Sequence, residues 1–512
     1  MKRDYFVVFL IFLSICTIRV FLSLSVPEFA SDSSYQILRE VEHITKFGTP
    51  IIHDDLSYLG RDYYFLPVFH YILAFFSLFF PLELVCKIVP NIFASLTVFI
   101  VYFIGLEIAK NREAVLFTAF MSGIVPVFLS ETVYSLSVYS LVIPVFLMLI
   151  YCLIKITKHS LFLDSSACNK YKIIFIILIV IFSFLHQSVI LFVLFFWIYL
   201  LLLAIEGIKI SRSELELVFF TSFFVFWALL VTMKPVFLNQ GFSVIFGGIP
   251  SYIRGNFFSH FTLLESMYKL GIIPVMYGLY SLFRFTFGKR EKYVYMLVSL
   301  IYLMLVLLWF KLITVTSGFI FLGSFLIIVV ILHYDWVFSY FNSSNKKTVR
   351  IFVKTLFIFY YVISFVLSSV LPSSTYLSMA KENIPTQSEI DMFLFMKKGI
   401  DNNSIVVAMP DYGQKIAYFS DKKTIMDSYY FGVLDSSRFY DVETVYTTNS
   451  LSTALSVIDK YDADYVLVSK STKKYYNSTF PNYINSACFD LIKQIDDVFL
   501  FKARCKVVEF GT

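Results

Sequence analysis

Charge is scarce in this chain of 512 residues. Asp, Glu, Lys and Arg make up 15% of it, against roughly 25% in an average soluble domain, while 58% of residues are apolar and the mean hydropathy is +0.76. That excludes an ordinary soluble protein and leaves a multi-spanning membrane protein. Rossmann and P-loop glycine spacings are absent, and the net charge of +6 gathers in a few loops, so nothing points to nucleic acid. Metal-type cysteine spacing is absent as well. Of Cys16, Cys86, Cys152, Cys168, Cys488 and Cys505, only the last two share a soluble segment, where they either pair or stay as thiols. The first apolar run, roughly Tyr5 to Val26, lacks a small-residue cleavage site and follows Lys2 and Arg3, so it reads as a retained anchor with a cytoplasmic N-terminus.

Aromatic residues are plentiful. The 60 Phe and 35 Tyr fit lipid-facing surfaces and interfacial belts, so no aromatic stripe is read as a ligand box. Further apolar runs lie near Leu84–Leu106, Ala114–Leu129, Val133–Ile154, Ile173–Leu185, Val189–Ile205, Leu215–Met233, Gly271–Leu282, Val294–Phe310, Leu312–His333 and Ile351–Leu371. The short run Phe65–Phe80 decides the sidedness of everything after it. If it does not cross, 15 Lys and Arg fall in cytoplasmic loops and 4 (Lys234, Arg254, Lys269, Lys311) in the opposite loops after the first. The positive-inside rule prefers that arrangement. It gives 11 spans and makes Phe65–Phe80 a juxtamembrane helix in a long first external loop, about Pro27–Glu83.

From about Glu382 the spans stop. Candidate helices at Ile390–Ile400 and Leu451–Lys460 alternate with candidate strands at Ser404–Ala408, Asp464–Ser469 and Val498–Ala503, the pattern of a small α/β domain. The expected organisation is therefore a transmembrane domain over 1–380 and an extracytoplasmic α/β domain over 381–512.

With that parity the chemical side chains share one face of the membrane. Asp32 stands a few residues beyond the first span, and Tyr35, Arg39 and Glu42 follow at helical spacing. Asp32 alone reads equally as a solvated helix cap. Glu131 ends the third span, in Ser130-Glu131-Thr132. The external loop Lys234–Leu270 carries Arg254, able to grip a phosphate bidentately, and then Glu265. Among His43, His53, His70 and His186, packing is the simpler reading, although a carboxylate with one histidine suits an Mg or Mn ion.

In this order the pieces resemble the GT-C superfamily of membrane glycosyltransferases, and within it the oligosaccharyltransferase catalytic subunit. Asp32, Tyr35 and Arg39 match its first external loop, and Glu131 its second. Thr262-Leu263-Leu264-Glu265 is similar to the family's TIXE/SVSE motif, and Met409-Pro410-Asp411-Tyr412-Gly413 to its WWDYG, with Met409 and Pro410 in place of both tryptophans. The resemblance implies a sugar donor on a polyprenyl phosphate and a protein or glycan acceptor. Asp32 and Glu265 would be catalytic, and Asp32 with Glu131 would hold a divalent cation such as Mg or Mn. Arg254 would bind the lipid phosphate, while Glu265, Asp411, Tyr412 and Gly413 would hold the acceptor. Because the tryptophans are missing, a relative that moves a single sugar, like the protein mannosyltransferase and aminoarabinose transferase branches, stays open. So does a transporter or scaffold, although the spans are nearly free of charge apart from Arg19 and Lys87 and show no internal repeat.

Overall fold

A computed structural model describes residues 2–161, 165–240, 261–288, 291–342, 347–429, 437–477, 481–485 and 487–506. In chain order the bundle comprises α1 (Lys2–Leu24), α2 (Asp32–Phe47), α3 (Val68–Ser77), α4 (Leu82–Ser95), α5 (Thr97–Ile108), α6 (Arg112–Ser122), α7 (Pro126–Val133), α8 (Tyr139–Leu161), α9 (Ser165–Ser183), α10 (Val189–Ile205), α11 (Arg212–Gln240), α12 (Leu263–Leu270), α13 (Ile272–Gly288), α14 (Lys292–Trp309), α15 (Val315–Asn342), α16 (Lys347–Phe365) and α17 (Leu371–Glu382). Seven of the described helices are long and apolar enough to cross a membrane, or eight if the bent pair α6 and α7 counts as one span. The other three expected spans fall on α9, α10 and α13, of 19, 17 and 17 residues. The run Phe65–Phe80 forms the ten-residue α3, about 15 Å long and too short to cross.

The break between α6 and α7 bends the pair by 41°. Pro126 opens α7, where its missing N–H costs nothing, but the interrupted helix leaves carbonyls short of partners. Arg19 of α1 fills the gap. Its guanidinium donates to Gly123 O at 3.4 Å and to the Thr132 hydroxyl, and lies over the Phe128 ring at 5.2 Å. Arg19 is 1% exposed, so its charge stays in the bundle only because these partners replace water. The bend aims the last turn of α7, which carries Glu131, at the end of the bundle where α1 gives way to α2.

Beyond the bundle lie α18 (Gln387–Gly399), α19 (Gly413–Ser420), α20 (Ser437–Thr447), α21 (Leu451–Lys460) and α22 (Lys470–Tyr476) around a five-stranded sheet. The strands are β3 (Ile405–Val407), β4 (Lys423–Thr424), β5 (Tyr465–Val468), β6 (Phe489–Ile495) and β7 (Val498–Ala503), in the order β4-β3-β5-β7-β6. β4, β3 and β5 run parallel, which requires helical crossovers, whereas β7 and β6 close antiparallel. The three expected strands and two expected helices are present, with β4 and β6 added. Cys488 and Cys505 are disulfide-bonded.

A hairpin in the first loop, β1 (His53–Asp54) and β2 (Arg61–Asp62), reaches this sheet. Tyr58 N donates to Thr424 O at 3.2 Å and Thr424 N to Leu56 O at 3.3 Å, so the loop between β1 and β2 continues the sheet past β4.

Candidate functional site

Asp32 is the first residue of α2, and its carboxylate is turned toward the C-terminal domain. Its Oδ1 accepts the Lys415 backbone N–H at 3.0 Å; its Oδ2 accepts the Ser428 hydroxyl at 2.7 Å and the Ser428 N–H at 3.3 Å. The side chain is 4% exposed. Burial, helped by the nearby charges of Asp427 and Asp411, pushes the carboxyl up to about 7, against the pull of Lys415 and the Ser428 hydrogen bond. The solvated-cap reading is thereby corrected: Asp32 is enclosed, and its partners lie nearly four hundred residues away.

Gly413 makes that enclosure possible. A Cβ there would stand 2.3 Å from Asp427 Cβ and 2.6 Å from Met426 O, so only glycine lets the 413–415 turn lie against 426–428 and bring two backbone donors to one carboxylate. Tyr412 is fully buried, with its hydroxyl bonded to Glu389 and, at 2.9 Å, to Ser469. The Asp411 side chain stays open to solvent in a recess, and enclosure by the surrounding protein raises its carboxyl. Within the motif, therefore, Asp411 faces outward, Tyr412 roots the turn and Gly413 permits the approach. Lys415, 3% exposed, places its ammonium over the Tyr412 ring at 5.5 Å, with its charge acting on both Asp32 and Asp411.

A second layer of buried charge ties the first loop to the same segment. Arg39 grips Asp54 with two bonds of 2.7 and 3.1 Å and donates to Gln414 Oε1 at 2.9 Å. Gln414 Nε2 donates to the Tyr63 hydroxyl and to Asp427 Oδ2 at 2.7 and 2.8 Å, and Asp427 takes a further bond from Arg61 at 2.6 Å. The Arg61 guanidinium lies over the rings of Tyr63 and Tyr429, 5.1 Å from each. Arg39 holds the Asp54 carboxyl below its ordinary value in spite of burial.

Glu131 lies in the last turn of α7, just ahead of a segment tied to the chain on either side of Asp32. Ala30 N donates to Tyr134 O and Leu136 N to Ser34 Oγ, both at 2.8 Å, so the ends of α7 and α1 are laced together around Asp32. The charge acting on Glu131 is that of Lys269 on α12. Lys269 sits about 6 Å from the ring centres of Phe319 and Tyr376. Glu265, one turn earlier, is exposed and forms a capping box with Thr262: Thr262 N donates to its carboxylate at 3.0 Å and Glu265 N to the threonine hydroxyl at 3.2 Å. That backbone bond lowers its carboxyl. Arg254 lies outside the described residues.

Beside these groups opens a mainly apolar cavity of roughly 250 Å³ between α3, α10 and α11, bordered by Tyr64, His70, His186 and Tyr429. The His186 ring stacks edge-on against Tyr139 at 5.1 Å, and the Tyr139 hydroxyl bonds Ser317 at 2.6 Å. The cavity thus opens beside the Arg61–Tyr429 layer, with Tyr429 in its wall.

Carboxylate oxygens suit Mg or Mn, yet among the described residues no group of three or more His, Cys, Asp or Glu is placed to hold a metal, and Asp32 already accepts three bonds. The described residues do not fit the expected Asp32–Glu131 cation site, and no step below passes through one. Lys415, Ser428, Asp427, Gln414 and Arg61 were missed in the sequence. Their one local signal is position: Gln414 and Lys415 follow the DYG motif directly, and Asp427-Ser428 interrupts an apolar stretch.

No family model matches the chain, and no curated protein matches it in sequence. Solved structures do match in fold. The Archaeoglobus fulgidus oligosaccharyltransferase in its apo form aligns with a TM-score of 0.66 at 15% identity, covering 91% of this chain and 70% of that one. The archaeal oligosaccharyltransferase AglB from the same organism, in complex with an inhibitory peptide and a dolichol-phosphate, aligns at 0.63 and 16%, again over 91% and 70%. ArnT from Cupriavidus metallidurans bound to undecaprenyl phosphate aligns at 0.56 and 12%, over 96% and 97%. The chain has the polytopic GT-C fold with a C-terminal α/β domain, as the sequence motifs led one to expect. An Archaeoglobus fulgidus oligosaccharyltransferase complex with Zn and sulfate also aligns, at a TM-score of 0.61.

Proposed function

We propose that the protein is a membrane glycosyltransferase that moves a sugar or oligosaccharide from a polyprenyl-phosphate-type lipid to an acceptor, with Asp32 as general base. The observation that carries this reading is the Asp32 carboxyl: buried at the mouth of a lipid-facing bundle, poised near pH 7, and joined through the half-buried Ser428 hydroxyl to its surroundings. A base with a pKa near the working pH is the one that general-base catalysis uses best.

In the reaction the acceptor's nucleophilic atom bonds to the anomeric carbon as the bond from that carbon to the phosphate oxygen breaks. The phosphate departs with the electron pair, and the acceptor's proton passes through Ser428 to Asp32. Displacement in one step inverts the anomeric centre. In this reading Lys269 and Arg254, the latter outside the described residues, offset the charge gathering on the phosphate. The cavity between α3, α10 and α11 takes the first units of the lipid tail, consistent with the carrier lipids bound in the AglB and ArnT structures. Asp411 and Glu265 face the acceptor, with Tyr412 and Gly413 fixing the turn that presents Asp411. We place this face outside the cytoplasm, on the bias of basic loops and on the disulfide, which persists in oxidising compartments.

A second reading, transfer of a single sugar to a hydroxyl acceptor, is supported by the near-complete mutual coverage with ArnT and by the loss of both tryptophans ahead of Asp411. Purified protein incubated with labelled polyprenyl-phosphate sugars and, separately, peptide and lipid acceptors distinguishes the two. Loss of transfer in Asp32→Asn supports the common mechanism, and undiminished transfer in that variant ends it.

A further inference from the structure

The acidic residues that the family resemblance would give to a divalent cation each have a lysine acting on them. Lys415 stands in the first turn of α19 and is 3% exposed. A buried lysine is rare unless paired, yet among the described residues its ammonium closes no ion pair and no hydrogen bond, and lies over the Tyr412 ring at 5.5 Å. Its countercharge is shared. Of the charges acting on Asp32, Lys415 contributes the largest pull toward the ionised form, and the charge acting on Asp411 is again that of Lys415. Asp411 acts on Asp32 in turn, so one ammonium serves two carboxylates. Glu131 repeats the pattern with Lys269.

The oxygens of Asp32 are also taken. Oδ1 accepts the Lys415 amide, and Oδ2 accepts the hydroxyl and amide of Ser428. A metal ion needs those lone pairs, because it binds carboxylate oxygens directly at about 2 Å. An ammonium acts through space and leaves them to the backbone. The other buried cations of this layer, Arg39 and Arg61, are spent on Asp54 and Asp427.

We propose that the Lys415 ammonium takes the electrostatic place of a divalent cation at Asp32 and Asp411, as a positioning residue that acts through both carboxylates. The test is Mn²⁺ uptake by the purified full-length protein, followed by electron paramagnetic resonance of the free ion. Lys415→Gln should bind one Mn²⁺ on the order of tenfold more tightly than the unsubstituted protein, since it removes a positive charge that repels the metal. Lys415→Arg should stay at the unsubstituted level, and adding Asp411→Asn to Lys415→Gln should abolish the gain. No gain in Lys415→Gln, an equal gain in Lys415→Arg, or a gain that survives Asp411→Asn overturns the proposal. So does loss of a bound Mn²⁺ when Asp411→Asn is made in the otherwise unsubstituted protein, a result that needs no Lys415 variant to fold. The inference rests on reading Asp32 and Asp411 as parts of one glycosyltransferase site. Uptake is measured without donor or acceptor, so its failure is distinguishable from failure of that reading.

Discussion

Two acidic residues open two helices of this protein, and their fates differ completely. Asp32, at the start of α2, is buried under the C-terminal domain, bonded to Ser428 and to the Lys415 amide, and raised to about 7. Glu265, in the first turn of α12, stays in solvent, caps its own helix with Thr262, and is lowered. Both stand where acidic residues favour a helix start, so local sequence makes them equivalent. What separates them is a segment hundreds of residues away that folds onto one and not the other, and the proposed mechanism rests on that same contact to make Asp32 its base.

The comparison breaks most sharply in transfer rate. Asp32→Asn keeps the shape and removes the proton acceptor, so kcat should fall by about 10²- to 10⁴-fold, whereas Glu265→Gln should act chiefly on KM for the acceptor. Equal losses of kcat in both variants would erase the distinction. Next in size is the buried layer that holds the segment on Asp32. Arg61→Met leaves Asp427 buried without its cation and should cost about 3–5 kcal/mol, read as earlier thermal unfolding of the C-terminal domain together with the first loop.

Ser428→Ala removes the hydroxyl through which the proposed proton path runs, so kcat should fall. It also takes one hydrogen bond from the carboxylate, a loss of about 1–3 kcal/mol at a charged acceptor. Because that bond favours the ionised form, the midpoint of the pH–rate profile should rise from about 7. An unchanged midpoint would mean that Ser428 does not face the titrating group. The smallest effect belongs to the capping box: Thr262→Val should cost about 1 kcal/mol of helix stability and leave the pH–rate midpoint where it was.

Burial of Asp32 also has a consequence for stability. Its folded value of about 7 exceeds the ordinary 3.8, so the folded state holds the proton more tightly. Stability therefore declines as pH rises from about 4 to about 7 and levels off above that, by on the order of 4 kcal/mol in total. Asp32→Asn should flatten that part of the melting-temperature profile.

Composition and basic-loop counting made the bundle legible, because hydrocarbon length and charge bias act locally along the chain. Even the short α3 could be read that way, and three strands of the sheet were legible from their apolar patterning. β4 and β6 escaped: β4 is two residues long, and β6 has exposed Leu491 and Ile492 among charged neighbours. In the site, Asp32 and the DYG motif were visible, and their juxtaposition was not. The Gly413–Asp427 approach, Ser428 and the Arg61–Gln414–Asp54 layer arise from tertiary contact alone, and no periodicity records them. Asp411, Tyr412 and Gly413 were grouped as one acceptor contact, and the sequence did not show that the phenol of Tyr412 bonds inside the domain, to Glu389 and Ser469.

The central claim is that Asp32, poised by the C-terminal domain, takes the acceptor's proton. Its most direct test is the pH dependence of kcat for sugar transfer from a polyprenyl-phosphate donor, measured for the unsubstituted protein and for Asp32→Asn. A rise with a midpoint near 7 that disappears in the variant is the expected result; a variant with the same midpoint and comparable rate would contradict it.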